Sequence, residues 1–123
     1  YLKNNSLKFF KSLPREDYLG LLKNCKLLIG NSSSGIIEST VFKIPVVNIG
    51  DRQKGREHGP NVINVKKFSQ KNISKSLSKS LSMNKRNLRI KNVYGNGMAA
   101  EKIVKYLEKI NIDQRLLKKE IRY

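Results

Sequence analysis

Cysteine occurs once, at Cys25, histidine once, at His58, and tryptophan not at all. A single cysteine excludes an internal disulfide framework, and a reducing cytoplasm fits it. Cys25 sits between a helical stretch and a strand, so packing is its expected role, with no partner in sequence to make it a nucleophile. One histidine with no second His or Cys nearby leaves no metal-site spacing. Neither a metal nor a cofactor is therefore expected. No apolar run approaches the ~20 residues of a membrane span, and residues 1–11 lack a signal-peptide core. Acidic residues are also scarce, 9 against 26 Lys and Arg, for a net charge of +17. Such a balance raises the expectation of nucleic acid, anionic membrane or phosphorylated ligands. The lysines, however, are scattered among asparagines, with no basic cluster interleaved with aromatics and no helix-turn-helix or finger spacing. Specific nucleic-acid recognition is not expected, and salt-sensitive non-specific binding would carry little information.

At 123 residues the chain is about one small domain, short for a complete enzyme with a cleft between domains. Because it opens on Tyr1 rather than methionine, it reads as a fragment or a trimmed product. There are no internal repeats and no linker long enough to divide domains.

What is present centres on residues 27–38. Leu27, Leu28 and Ile29 form a short apolar run, followed by Gly30, Asn31, Ser32, Ser33, Ser34 and Gly35, then Ile36, Ile37 and Glu38. The order reads as buried strand, tight Gly/Ser loop, helix. Backbone N–H groups at a helix start, together with serine hydroxyls, suit a phosphate. Glu38, expected about one turn into the helix, could accept hydrogen bonds from sugar hydroxyls. Donors for a diphosphate beside an acceptor for ribose would suit a nucleotide. Strand–loop–helix is equally the commonest unit of α/β domains, and serines cap helices widely, so both readings stay open on this stretch.

Along the chain, residues 7–10 read as a strand and Pro14 opens a helix carrying Glu16 and Asp17 in its first turn. Tyr18, Leu21, Leu22 and Cys25 give that helix an inward face. Strands are expected at 26–29, at Val46–Ile49 and at 61–65, with a helix over 35–42 between the first two. Short strands alternating with helices predict a parallel α/β sheet. Residues 50–60 hold three glycines with Arg52, Arg56 and His58, and leave the carboxyl end of a strand, as the Gly/Ser loop does. Ligands sit at that edge in open α/β sheets. Two converging loops say more than either alone, although the arginines could equally be solvated or paired with Asp51 and Glu57. An acid–base role for His58 stays open. A helix over 68–81 capped by Ser69 follows, with Ile73, Leu77 and Leu81 inward, then a polar loop over 82–96. An amphipathic helix over 98–110 and a last helix or tail over 113–121 complete the chain.

Two segments, Gly30-Asn31-Ser32-Ser33-Ser34-Gly35-Ile36-Ile37-Glu38 and Pro45-Val46-Val47-Asn48-Ile49-Gly50-Asp51-Arg52-Gln53-Lys54-Gly55-Arg56, followed by Asn61-Val62-Ile63, resemble the C-terminal part of UDP-N-acetylglucosamine 2-epimerases. The nearest likeness is to the hydrolysing branch that makes N-acetylmannosamine for sialic-acid-type sugars. Residues 13–18 and Tyr94-Gly95-Asn96-Gly97 match as well, so the resemblance covers nearly all of residues 1–110. It implies a Rossmann-like half domain, the UDP-binding C-terminal portion of a two-domain, glycosyltransferase-B-like fold. Residues 1–123 would be that portion, about 111–123 a terminal helix or tail, and the N-terminal catalytic domain would be absent. By the same resemblance Ser32, Ser33, Ser34 and Gly35 would hold the diphosphate, Glu38 the ribose, and Arg52 would also contact UDP, while residues 13–18 would lie near the uracil. The family's proton-transferring carboxylates and histidine have no counterpart here, and His58 does not match that histidine. No catalytic residue is therefore assigned, and the 123 residues alone are expected to be inactive.

The implied partner is UDP-N-acetylglucosamine or a related UDP-sugar, with pairing into a homodimer when full-length. Two rivals remain: another glycosyltransferase-B-type sugar-nucleotide enzyme, which would not need the Arg52-Gln53 segment, and a basic nucleic-acid-binding module.

Overall fold

The computed structural model describes residues 7–118. Its described residues up to Val93 form one compact unit, and those from Tyr94 onward a second. In the first unit, helix α1 spans Arg15–Asn24, strand β1 Leu28–Gly30, a 3-10 turn Ser33–Gly35, helix α2 Glu38–Phe42, strand β2 Val46–Ile49, strand β3 Val62–Val65 and helix α3 Gln70–Leu81, followed by a second 3-10 turn at Lys85–Asn87. The second unit holds α4, Ala99–Leu107, and α5, Gln114–Leu117. The expected last helix over 113–121 is described only as far as residue 118, and its end lies outside the described residues.

The three strands form one parallel sheet in the order β1-β2-β3, with Ile29 opposite Val47 and Val47 opposite Ile63. This is the α/β, parallel arrangement that the strand–helix alternation predicts. β2 lies in the middle, paired with β1 on one edge and β3 on the other. Val46 and Val47 are buried, as a parallel strand covered on both faces requires. β1 lies at one side, and Ile29 is exposed. Ile36, Val46 and Val62 make the core cluster, with Leu28 packed against it. α3 packs on β2 and β3, and α1 on α2.

Four local expectations are corrected. Residues 7–10 form no strand: among the described residues β1 pairs with β2 alone, and Leu7, Phe9 and Phe10 are exposed. An apolar run with no neighbouring strand has no ladder to join, and its backbone groups, being exposed, are left to water. The helix expected over 35–42 is a 3-10 turn followed by a separate α2, so Glu38 opens its helix rather than lying a turn inside it. On α1, Leu22 is buried while Leu21 is exposed. On α3, Ser69 caps as expected, its Oγ accepting from the Asn72 N–H at 3.2 Å, but the inward stripe runs Ile73, Leu77, Ser80 and leaves Leu81 exposed. That is the i, i+4, i+7 spacing of one helical face. In the second unit, Ile103, Val104 and Leu107 of the α4 stripe are exposed.

Candidate functional site

The turn after β1 is self-contained. Ser32 Oγ accepts from the Ser34 N–H at 3.3 Å. The N–H groups of Gly35, Ile36 and Ile37 return to the carbonyls of Ser32 and Ser33. Those backbone donors are spent inside the turn, contrary to the expectation that they point outward. What the turn presents is serine hydroxyl: Ser32 is exposed and Ser33 half-buried, whereas Ser34 and Gly35 are buried. A Cβ on Gly35 would come within 3.1 Å of Val46 Cγ1, so the turn packs directly against β2. Tyr18 reaches over from α1 and donates its hydroxyl to Ser34 Oγ at 2.6 Å. The segment expected near a base is thereby joined to the turn.

Behind the turn runs a buried polar chain. Ser39 Oγ donates to the Gly35 carbonyl at 2.7 Å, and Asn61 Nδ2 donates to Ser39 Oγ at 3.1 Å and to the Ile44 carbonyl at 2.8 Å. Glu38, half-buried, begins α2 directly after this turn.

The second loop, residues 50–60, contains no helix or strand. Gly50 and Gly55 adopt φ of +97° and +81°, which a side chain would strain. Arg52 and Arg56 are exposed. Between them, Gln53 is only 5% exposed and donates Nε2 to the Asn31 carbonyl at 2.8 Å. The two loops are therefore tied by one hydrogen bond between residues adjacent to Arg52 and to Ser32. Sequence reasoning marks the Arg52-Gln53 pair as distinctive but gives a role to Arg52 alone; the signal for Gln53 is an uncharged, hydrogen-bonding side chain amid cations.

A hollow of about 330 Å³ opens at the carboxyl ends of β2 and β3, its walls including Asn48, Asp51, Lys54, Arg56, His58 and Lys66. Arg52, Glu38 and the serines of the turn are not among its walls. His58 stands at its side with Nδ1 3.1 Å from the Gly59 carbonyl and Nε2 2.9 Å from Asn64 Nδ2. A ring donating from Nδ1 and accepting at Nε2 satisfies both contacts. Asn64 Oδ1 in turn accepts from Asn48 Nδ2 at 2.7 Å, across the β2–β3 register. Among the described residues, no group of three or more His, Cys, Asp or Glu side chains could hold a metal ion, and no helix is long and apolar enough to cross a membrane.

The sequence profile of the family UDP-N-acetylglucosamine 2-epimerase matches residues 1–108. The chain belongs to the UDP-N-acetylglucosamine 2-epimerase family. It is 35% identical over 119 residues to the UDP-N,N'-diacetylbacillosamine 2-epimerase (hydrolyzing) of Legionella pneumophila, covering 97% of this chain and 31% of that protein. It is 54% identical over 65 residues to the GDP/UDP-N,N'-diacetylbacillosamine 2-epimerase (hydrolyzing) of Campylobacter jejuni, covering 51% of this chain and 17% of that protein. A UDP-N-acetylglucosamine 2-epimerase of Neisseria meningitidis is 37% identical over 86 residues, 68% of this chain and 22% of the relative. The chain thus spans no more than 31% of the length of these epimerases.

Proposed function

We propose that this chain is the UDP-holding part of a hydrolysing UDP-sugar 2-epimerase acting on a 2-acetamido sugar of the N-acetylglucosamine type. The observation that carries the reading is the Gln53–Asn31 bond, which holds the Ser/Gly turn and the Arg52 loop together at one edge of a parallel sheet. The names of two relatives, both hydrolyzing epimerases, support the outcome of the reaction.

In this reading the hydroxyls of Ser32 and Ser33 and the guanidinium of Arg52 hold the diphosphate, Ser34 and Gly35 complete the turn, and Glu38 accepts from the ribose hydroxyls. The reaction removes the proton at C2 of the sugar as the C1–O bond to UDP breaks. The unsaturated sugar that results takes up water and leaves as the free epimer. UDP departs as an anion, so the task of these residues is to stabilise charge developing on the leaving diphosphate. Arginine suits it, since its planar fork pairs bidentately with phosphate oxygens. The groups that move the C2 proton lie outside these 123 residues, in a preceding domain of a glycosyltransferase-B-like whole that works as a homodimer.

Calorimetric titration of the chain with UDP and with an oligonucleotide, at ~0.2 M salt to suppress non-specific phosphate binding, tests the proposal. Saturable UDP binding that survives this salt while oligonucleotide binding does not is expected; the reverse pattern would make the chain a basic nucleic-acid module.

A further inference from the structure

We infer that Gln53 is a positioning residue for Arg52, acting through the Asn31 carbonyl; this rests on the diphosphate reading above. Gln53 is 5% exposed in a loop whose neighbours Arg52, Lys54, Gly55 and Arg56 are all exposed. A buried primary amide costs free energy unless its groups are paired. Only half of this one is: Nε2 donates to Asn31 at 2.8 Å, whereas Oε1 is buried with no partner among the described residues. The gain from the donor is thus set against an orphaned acceptor. For folding alone, an apolar side chain of the same length would serve as well or better. What an apolar side chain could not supply is a directional tie between two loops 22 residues apart in sequence.

The geometry around the tie makes it effective. The Lys54 N–H returns to the Asp51 carbonyl at 2.9 Å and the Arg56 N–H to the Gln53 carbonyl at 3.2 Å. The segment therefore winds on itself, and fixing Gln53 fixes the backbone of Arg52, one peptide unit away. On the other side Asn31 directly precedes Ser32. A single hydrogen bond thus sets the spacing between the guanidinium and the serine hydroxyls, the preorganisation that a charge-binding constellation needs.

The test is a double-mutant cycle on the chain, read by calorimetry with UDP and by urea unfolding. Gln53→Met keeps length and burial and removes both the Nε2 donor and the orphan Oε1. It is expected to unfold at no lower urea than the parent, yet to bind UDP about tenfold more weakly, the effect of misplacing one charge-assisted hydrogen bond. Combined with Arg52→Ala, it should bind no more weakly than Arg52→Ala alone, because coupled residues are not additive. Parent-like UDP affinity for Gln53→Met, additive losses in the double variant, or a stability loss that matches the affinity loss would each overturn the inference and leave the diphosphate reading standing. Failure of Gln53→Met to fold would overturn it too, since the amide would then be there for stability. If the parent binds no UDP, or Arg52→Ala binds like the parent, the diphosphate reading falls and this inference with it.

Discussion

Asn61 and Ser39, 22 residues apart, meet through a hydrogen bond of 3.1 Å, and the same Asn61 nitrogen reaches the Ile44 carbonyl at 2.8 Å. Ser39 passes the chain on to the Gly35 carbonyl, so the Ser/Gly turn is anchored to the residue that enters β3. The Asn61 backbone carbonyl also accepts from the Val46 N–H at 2.8 Å. Asn61 is fully buried, and its Oδ1 has no partner among the described residues. Asn61→Ala is therefore expected to cost about 2–3 kcal/mol, by leaving the Ile44 carbonyl unpaired and a small void behind. Asn61→Asp, nearly the same shape, should cost more at neutral pH, because its carboxylate cannot donate to Ile44 and buries a charge beside a carbonyl. Urea unfolding of the two variants checks both the size and the order. Asp tolerated better than Ala would show that the donors are not what matters.

Two glycines make a second comparison. A Cβ at Gly59 would lie 2.7 Å from Asn61 Oδ1 and 2.8 Å from Ile90 Cγ2, whereas one at Gly35 would meet Val46 Cγ1 at 3.1 Å. Asn61 is held by two hydrogen bonds and cannot swing aside freely. Gly59→Ala should then cost about 2–3 kcal/mol, toward the upper end of the overpacking range, and Gly35→Ala about 1 kcal/mol. Thermal melts of the pair are the measurement, and an inverted order would contradict the packing described.

Ligand binding gives a third. Arg52→Ala is expected to weaken UDP binding by about 1.5–3 kcal/mol, roughly ten- to a hundredfold, as removal of a hydrogen bond between charged groups does. Glu38→Ala should weaken UDP binding but not that of inorganic pyrophosphate, since a carboxylate can serve the ribose but only repels phosphate. Oligonucleotide binding, driven by the scattered lysines, should scarcely change in either variant. Calorimetry with UDP, pyrophosphate and an oligonucleotide separates the three. Equal losses for pyrophosphate and UDP in Glu38→Ala would remove the ribose assignment.

Much of this architecture could be read from the residues. Val46–Ile49 is a strand as expected, because an apolar run bounded by Pro45 and Gly50 has little else to become in an α/β chain. The helix after Pro14 and the cap at Ser69 follow from local chemistry alone. What local chemistry does not contain is long-range pairing. Residues 7–10 look like a strand until it is known that they pair with no strand of the sheet. The Ser80 position on α3 needs the helix rotation, which the sheet sets. Arg52 and Ser32 are legible as candidates, but the bonds Gln53–Asn31 and Asn61–Ser39 depend on how the three strands are aligned in the sheet.

His58 supplies the last comparison. Both ring nitrogens are engaged, Nδ1 with the Gly59 carbonyl and Nε2 with the Asn64 amide, in an exposed setting. A base would have to give up the Asn64 contact before it could accept a proton from anything else, and the ring does not belong to the turn that carries the serines. Exposed bonds of this kind contribute little, because water replaces them. His58→Ala is expected to change stability by no more than about 0.5 kcal/mol and UDP affinity by no more than about twofold. Asn48, at the other end of the same chain, is 4% exposed and donates to Asn64 at 2.7 Å from the middle strand. Asn48→Ala should cost about 1–3 kcal/mol, since solvent does not replace the missing bond. Urea midpoints and UDP titrations of the two variants test the contrast. A large loss of UDP affinity in His58→Ala at unchanged stability would place the imidazole in the ligand's path and reopen an acid–base role for it.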